Sequence, residues 1–121
     1  MKVESIRWLS RSADEAEVIV SDGRYRCEAY SYLCKVKVGD SLDDRLHLFG
    51  IHYAMLAEPT ELAIRKIAAE GLTQQVVGRV TDAQKGYLAV GDIHFIADDP
   101  LPGGIDVGDI IALECARIDL W

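Results

Sequence analysis

Basic and aromatic side chains near the start of the chain have the types and spacing of a nucleic-acid-binding surface. The basic ones recur at even spacings in predicted strands, at Arg7, Arg11, Arg24, Arg26, Lys35 and Lys37. Side chains two positions apart on a strand project to the same side, and Tyr30 and Tyr32 lie close by in the sequence. On a small β-barrel, a face formed by Arg24, Arg26 and Tyr30 would bind single-stranded nucleic acid or an oligosaccharide by stacking rings on aromatics.

The same pattern also has a purely structural interpretation. Alternating Arg and Lys are typical of the solvated face of an antiparallel sheet, where Glu15, Glu17 and Glu28 would balance their charge. The chain carries 13 Lys and Arg against 20 Asp and Glu, a formal charge of −7. Because this charge repels phosphate and anionic membranes, a basic protein partner fits it better than nucleic acid or a bilayer.

Acidic side chains are concentrated in the second part of the chain. Residues 58–121 carry 11 acidic and 5 basic side chains, whereas residues 1–57 carry 9 and 8. Seven aspartates fall at predicted turns or strand ends: Asp82, Asp92, Asp98, Asp99, Asp106, Asp109 and Asp119. Turn aspartates commonly hydrogen-bond their own backbone, but an acidic rim could also occupy a basic cleft on a partner, as immunity or inhibitor proteins do. Under this second hypothesis the loops Asp98 to Gly104 and Asp40 to Asp44 form the contact surface.

No pattern of catalytic or metal-ligating residues stands out. His47 and His52 are five positions apart, so they would point to opposite faces of one strand, and no spacing matches a calcium loop. Nothing in the sequence places Cys27 or Cys34 beside a histidine, as nucleophilic catalysis would require. We therefore expect a binding protein rather than an enzyme, without catalytic residues, metal or cofactor.

Three cysteines form an odd count without a CxxC pair, which predicts neither a disulfide framework nor a zinc knuckle. We expect Cys27, Cys34 and Cys115 to be reduced, buried thiols. Residues 1–5 lack the apolar region of a signal peptide, and no stretch is long enough to span a bilayer. These features predict a bacterial-type cytoplasm or an equivalent reducing compartment.

The elements that must position these residues are strands. A turn motif occurs twice, as Lys37-Val38-Gly39-Asp40-Ser41-Leu42 and sixty-nine positions later as Asp106-Val107-Gly108-Asp109-Ile110-Ile111. In each copy glycine can adopt a positive φ and aspartate can hydrogen-bond the backbone, so each predicts a turn leading into a strand. Apolar alternation predicts eight strands, over residues 3–11, 15–21, 24–30, 43–52, 75–81, 86–90, 93–97 and 109–120. Breaks in the alternation predict irregularities near Phe49 and around Glu114 to Ala116.

The middle of the chain, Glu58 to Gly71, is the only helical candidate. Pro59 suits the first turn, apolar residues recur near helical spacing, and Gly71 can end the helix. The predicted fold is therefore a single mainly β domain over residues 1–121, a small antiparallel OB-like barrel. It consists of two similar strand units, 3–52 and 74–121, joined by a helical linker over 58–71. Whether the strands close into one barrel or two half-barrels stays open.

Two short motifs resemble those of a group of small, functionally uncharacterised bacterial proteins. One is Asp22-Gly23-Arg24-Tyr25-Arg26-Cys27, which matches an Asp-Gly-x-Tyr-x-Cys core, and the other is the closing Arg117-Ile118-Asp119-Leu120. This resemblance covers most of the chain and implies no activity or catalytic residue. The strand that ends at Trp121 carries little protection of its edge, which predicts a homodimer through a strand edge.

Overall fold

The computed structural model describes all of residues 1–121 and contains strands but no helix. Nine strands follow one another along the chain: β1 Lys2–Ser10, β2 Glu15–Ser21, β3 Arg26–Ser31, β4 Leu46–Leu56, β5 Ala63–Lys66, β6 Gln74–Asp82, β7 Tyr87–Val90, β8 Ile93–Ala97 and β9 Ile110–Asp119. The prediction of a mainly β fold is confirmed.

Five of these strands close into a barrel. β9 pairs with β4 on one side and with β6 on the other, and β8 and β7 complete the ring. Within it, only the β4–β8 pair is parallel. β1, β2 and β3 form an antiparallel sheet that joins the barrel where Tyr30 pairs in parallel with Asp119. The prediction of a β-barrel is therefore confirmed.

The outer edges of the sheet are β1 and β5. β9 lies inside the sheet, so the strand that ends before Trp121 offers no free edge, contrary to the expectation from the sequence. Its residues pair with β6 from Ile110 to Cys115 and with β4 as far as Asp119. The strands that pair with a neighbouring strand on one side only are therefore β1 and β5.

One hydrophobic core joins the barrel to the β1–β3 sheet. Alternate residues of β2, Ala16, Val18 and Val20, are fully buried, as their spacing predicts. From the barrel the core receives its largest side chains, Phe95, Leu46, Leu48, Leu88, Ile93, Ile111, Leu113 and Ile118. Because burial of a large apolar side chain contributes about 1.5–3 kcal/mol, this shared core stabilises both parts together.

The predicted helix at Glu58 to Gly71 is wrong. Its centre forms the short strand β5, in which Ile64 pairs with Val76 on the edge of β6. Leu62 and Ile64 pack against the core at strand spacing, whereas Ile67 remains 52% exposed. A helix of about a dozen residues is marginal alone, and the free edge of β6 offers backbone hydrogen bonds that only a strand can make.

The first copy of the repeated turn motif hydrogen-bonds to β1. Gly39, with φ of 94°, donates its N–H to the Val3 carbonyl at 2.8 Å, and Val3 donates to the Asp40 carbonyl at 2.9 Å. The Asp40 carboxylate closes the turn by accepting the N–H of Lys37 at 2.8 Å. The loop before β4 is thereby fixed against the start of β1.

The second copy makes the same bonds with β6. Gly108, with φ of 93°, donates to the Val80 carbonyl at 2.8 Å, and Val80 donates to the Asp109 carbonyl at the same distance. The Asp109 carboxylate accepts the N–H of Asp106 at 2.9 Å. Both copies therefore have the turn chemistry that the sequence predicts.

Strand β4 bends at Gly50, where φ is 68°. A Cβ atom at this position would lie 2.9 Å from the Cβ of Ala116 on β9. The ladder shifts by one residue between Ile51 and Tyr53, a β-bulge just beyond the irregularity predicted near Phe49. On β9 the buried residues change parity between Cys115 and Ile118, close to the predicted break. Beyond its break, β9 reaches β3 and pairs with it at Asp119.

Candidate functional site

A chain of three side chains supports an exposed tryptophan at the end of the barrel. His47, on β4, and Trp121, which follows β9, stack with ring centroids 3.6 Å apart and planes 9° apart. The Nδ1 atom of His47 lies 2.9 Å from a carboxylate oxygen of Asp98, in the loop after β8. Trp121 itself is 80% exposed to solvent. This surface, with Asp43, Asp44, Tyr30 and Tyr32 around it, is called the acidic–aromatic face below.

One cavity of about 440 Å³ lies on one side of Trp121 and is called the aspartate pocket. Asp43 and Asp44 line it, together with His47, Tyr87, Ile96 and Arg45. The Arg45 guanidinium lies 3.7 Å from the centroid of the Tyr87 ring and donates to the Phe95 carbonyl. Neither Asp43 nor Asp44 forms an ion pair with Lys or Arg, so the aspartate pocket keeps negative charge at its rim.

A second cavity of about 330 Å³ shares Trp121 and is called the tyrosine pocket. Its other lining residues are Tyr30, Tyr32, Arg117, Asp119 and Leu120. Tyr30 is placed by β3 pairing with β9, while Tyr32 lies just past β3 and is 61% exposed. The tyrosine pocket thus has mainly aromatic and apolar walls.

The single cation of the tyrosine pocket is neutralised inside the protein. Arg117 donates two hydrogen bonds to the Asp119 carboxylate, at 2.5 and 3.0 Å. Its guanidinium also lies 4.8 Å from the ring centroid of Tyr30 and 4.9 Å from that of Phe49. The hydrogen bonds from Arg117 to Asp119 raise the pKa of Arg117. Burial, followed by the nearby Glu15 carboxylate, raises the pKa of the Tyr30 phenol.

The arginines of the predicted nucleic-acid face lie elsewhere and are largely paired. Arg26 forms a two-bond ion pair with Glu4, and Arg24 lies over the ring of Tyr25 at 5.3 Å. Beside them, Arg7 pairs with Glu17, and Lys66 pairs with Glu28 at 3.0 Å. These residues on the outer side of β1–β3 and β5 are called the arginine face below.

The structure therefore divides the predicted site residues into two groups. It brings Tyr30 and Tyr32 together in the tyrosine pocket and places Asp98 close by, under His47. Asp99 accepts the N–H of Ile51 at 3.3 Å. Arg26 begins β3, about 13 Å from Tyr30 at the usual rise per residue, and Arg24 lies in the turn before the strand. Sequence reasoning missed His47, Arg117 and Trp121, although the Arg-x-Asp spacing was a usable signal for the ion pair.

The Asp22-to-Cys27 motif has a structural role between the two hairpins. One oxygen of the Asp22 carboxylate accepts the N–H groups of Arg24 and Tyr25 at 2.8 and 2.7 Å. The other accepts the N–H of Asp92, in the β7–β8 turn, at 2.8 Å. Burial, which alone raises the pKa of Asp22, is outweighed by hydrogen bonds from Tyr25, Asp92 and Arg24, and the pKa is lowered.

The thiols have the environment of core residues. Cys27, Cys34 and Cys115 are all buried and free. Burial raises the pKa of Cys27 far above its ordinary value and that of Cys115 to about 11. A buried thiol with a raised pKa is a poor nucleophile at neutral pH. No group of three or more His, Cys, Asp or Glu side chains is placed to hold a metal ion.

A third cavity, of about 280 Å³, lies between β3 and β5. Gln74 spans its base and bonds to both backbone groups of Glu28, accepting its N–H at 3.3 Å and donating to its carbonyl at 2.7 Å. Arg26, Cys27 and Lys66 complete much of the lining. The charged side chains around the cavity are ion-paired within the protein, Arg26 with Glu4 and Lys66 with Glu28, although the buried Glu28 Oε2 makes no hydrogen bond.

Comparison of the chain with protein-family models, with curated proteins and with solved structures found no match. The structure also contains no helix with the length and apolarity needed to cross a membrane. The geometry and charge of the acidic–aromatic face and the arginine face are therefore the basis for inferring function.

Proposed function

We propose that this chain is a non-enzymatic binding protein that recognises a basic protein partner through the acidic–aromatic face. One observation carries the proposal: Asp43 and Asp44, from the loop before β4, and Asp98, from the loop after β8, lie at one surface with His47 and Trp121. The carboxylates of Asp43 and Asp44 have no ion-pair partner in the protein. Acids at an exposed aromatic surface match a cationic partner in both charge and packing.

An inhibitor-like or immunity-like role is consistent with this surface. The formal charge of −7 steers a basic partner toward the protein over long range. Exposed aromatic side chains such as Trp121 and Tyr32 supply the contact area on which tight interfaces depend. Recognition by such a surface is charge-steered and therefore weakens as salt rises.

The test is affinity capture from nuclease-treated source lysate at low and high salt. We expect a basic protein to bind at low salt and to elute at high salt. The double variant Asp43→Lys/Asp44→Lys should lose this capture, whereas Glu61→Lys/Glu70→Lys, with the same change of net charge on exposed sites elsewhere, should retain it. Equal loss in both variants, or capture that is indifferent to salt, would contradict the proposal.

A second candidate function is single-stranded nucleic-acid or oligosaccharide binding. The tyrosine pocket favours it, because Tyr30, Tyr32 and Trp121 offer rings on which a base or sugar can stack. The face of Arg24, Arg26 and Tyr30, which the sequence suggests for this function, receives less support because Arg26 is paired with Glu4. Retention on single-stranded DNA or RNA at low salt would support this candidate over a protein partner. Loss of retention in Tyr32→Ala would assign binding to the tyrosine pocket, whereas loss in Arg24→Ala and Arg26→Ala would assign it to the face that the sequence suggests.

An OB-type assignment for the barrel is also part of the proposal. Small OB-type barrels have five strands connected in a Greek-key rather than a simple up-and-down order. Here β4 lies between β8 and β9 and comes from the part of the chain before β6. The non-sequential five-stranded ring supports the assignment.

A reducing compartment and self-association complete the proposal. Three free, buried thiols support a cytoplasmic protein, since such thiols persist in reducing surroundings. The free edges of β1 and β5 are the places where a second copy could add a strand. Light scattering over a range of protein concentrations would show whether a homodimer forms.

A further inference from the structure

We propose that the partner segment bound by the acidic–aromatic face is a proline-rich, polyproline II stretch with an adjacent Arg or Lys. In this arrangement proline rings enter the tyrosine pocket and the basic side chain enters the aspartate pocket. The inference rests on the proposed function, because it names the chemistry of the segment that the basic partner would present.

The two pockets lie on either side of one ring. Trp121 lines both the 440 Å³ and the 330 Å³ cavity, and its indole is held by the stack on His47. His47 is in turn held by Asp98. Trp121 therefore forms an aromatic ridge that borders two cavities, which suits an extended segment that passes over it.

The chemistry of the two pockets differs in the way that such a segment requires. In the tyrosine pocket the cation Arg117 is already neutralised by Asp119, so the pocket has no net charge. It presents the side chains of Tyr30, Tyr32 and Leu120 to a ligand. In the aspartate pocket, the two carboxylates of Asp43 and Asp44 outnumber the single cation Arg45, whose guanidinium is held against the Tyr87 ring and the Phe95 carbonyl, so this site keeps a net negative charge. One site therefore favours an apolar ring and the other a cation.

The conformation of the segment follows from the backbone at this surface. The Tyr30 carbonyl accepts the N–H of Leu120, and β3 pairs with β9 at Tyr30. Because these strand ends are used, a partner gains little here by adding a strand. A polyproline II helix needs no ladder partner, loses little entropy on binding, and repeats its face about every 9 Å, three residues at about 3.1 Å each.

Charge decides against a nucleic acid as the occupant of both pockets. Asp43 and Asp44 line the aspartate pocket and Asp98 bonds to His47 beside it, so phosphates would approach these carboxylates against repulsion. A neutral oligosaccharide could stack on the same rings but would leave Asp43 and Asp44 without a cation. The basic proline-rich segment is the occupant that uses both pockets.

The test is titration of three synthetic peptides into the Trp8→Phe variant, in which Trp121 is the only tryptophan and reports binding by fluorescence. The first peptide, RAPPAPPAPR, combines proline repeats with arginine at both ends. The second replaces its arginines by glutamine, and the third replaces its prolines by glycine and serine at unchanged charge. We expect the first peptide to bind and the second and third to bind about tenfold more weakly or worse, a loss of about 1.4 kcal/mol each.

Variants of the exposed aromatic residues locate the site. Tyr32→Ala should weaken the first peptide about tenfold with little risk to folding, because Tyr32 is 61% exposed. Trp121→Ala, followed by isothermal calorimetry, should have at least the same effect. Leu9→Ala, at an exposed apolar residue on β1, should leave peptide binding unchanged.

The outcomes separate this inference from the proposed function. Equal binding of the first and third peptides would overturn the polyproline II inference while leaving a basic partner in place. Binding of neither basic peptide, or binding of cello- or chito-oligosaccharides instead, would also overturn it. The capture experiment with whole lysate and the Asp43→Lys/Asp44→Lys variant is independent of the peptides. It tests only the proposed function and not the polyproline II inference.

Discussion

The arginine face and the acidic–aromatic face carry similar numbers of charged side chains but use them differently. On the arginine face Arg7, Arg26 and Lys66 each have a carboxylate partner within the protein. On the acidic–aromatic face Asp43 and Asp44 have none. Charges that are already paired offer little to a ligand, whereas unpaired charges beside exposed rings do. The surface with fewer basic residues is therefore the better candidate for recognition.

Gly50→Ala should have the largest effect, because it acts on the strand pair that supports the acidic–aromatic face. The new methyl group would meet the Ala116 Cβ at 2.9 Å in a left-handed backbone conformation. We expect a loss of about 2–4 kcal/mol in the free energy of unfolding, measured by urea titration. Gly103→Ala, at a glycine with open space around it, is the control and should change stability little. Equal stability of the two variants would contradict the close approach of β4 and β9.

Gln74→Leu should come next, because it acts on the base of the cavity beside the arginine face. The change leaves the backbone N–H and carbonyl of Glu28 without the side-chain partner that now bonds both. We expect a loss of about 1–3 kcal/mol in unfolding free energy. Peptide binding at the acidic–aromatic face should persist. Gln74→Glu, which can accept a hydrogen bond but not donate one when ionised, should be destabilised as well.

Asp22→Asn should have a smaller effect that depends on pH. Because the pKa of Asp22 is lowered on folding, its carboxylate contributes stability above its unfolded pKa, and this contribution disappears as pH falls through the folded pKa. We expect Asp22→Asn to lose about 1 kcal/mol near neutral pH, with allowance for partial exposure to solvent. The gap between wild type and variant should close in acid. A gap that stays constant from neutral pH to pH 3 would argue against the role of the ionised carboxylate.

Arg24→Ala/Arg26→Ala should have the smallest effect. Arg26 is exposed and its partner Glu4 can be solvated, so the urea midpoint should stay within experimental error. Capture of a basic partner should change less than about twofold, since these residues lie away from the acidic–aromatic face. A large loss of ligand binding in this variant would move the functional surface to the arginine face.

The sequence alone predicted the local structure of several strands and turns in this chain. The bounds of β2 and β8, the buried alternation of Val18 and Val20, and the aspartate-closed turns at Gly39 and Gly108 all follow from side-chain type and two-residue spacing. These features depend on neighbours only a few residues away. The mainly β character was predictable for the same reason.

The central segment shows why spacing alone was insufficient there. Leu62, Ile64 and Ile67 fit a helical face about as well as a strand, and the sequence does not show which partner is available. The structure provides the edge of β6, with Ile64 opposite Val76. Long-range backbone hydrogen bonding therefore decided an element that local propensity left open.

The candidate site was predictable in part. Tyr30 and Tyr32 were identified as ring-stacking residues, and the loops at Asp40 to Asp44 and Asp98 to Gly104 as an acidic surface. Their convergence was not visible, because His47 and Asp98 are 51 residues apart in sequence and meet only through the parallel pairing of β4 with β8. Tyr30 shares the outward face of β3 with Arg26, as its spacing predicts, but its neighbours in the tyrosine pocket are Tyr32, Arg117 and Trp121.

By itself, the sequence determined the strands, the turn chemistry and the excess negative charge, because each depends on residue type and near neighbours. Only the tertiary structure decided which charges are neutralised and which rings are gathered. Arg26 finds Glu4 across 22 residues, and Gln74 finds Glu28 across 46. The first pairing follows from the register of the β1–β3 sheet, and the second from the way in which that sheet joins the barrel around one shared core.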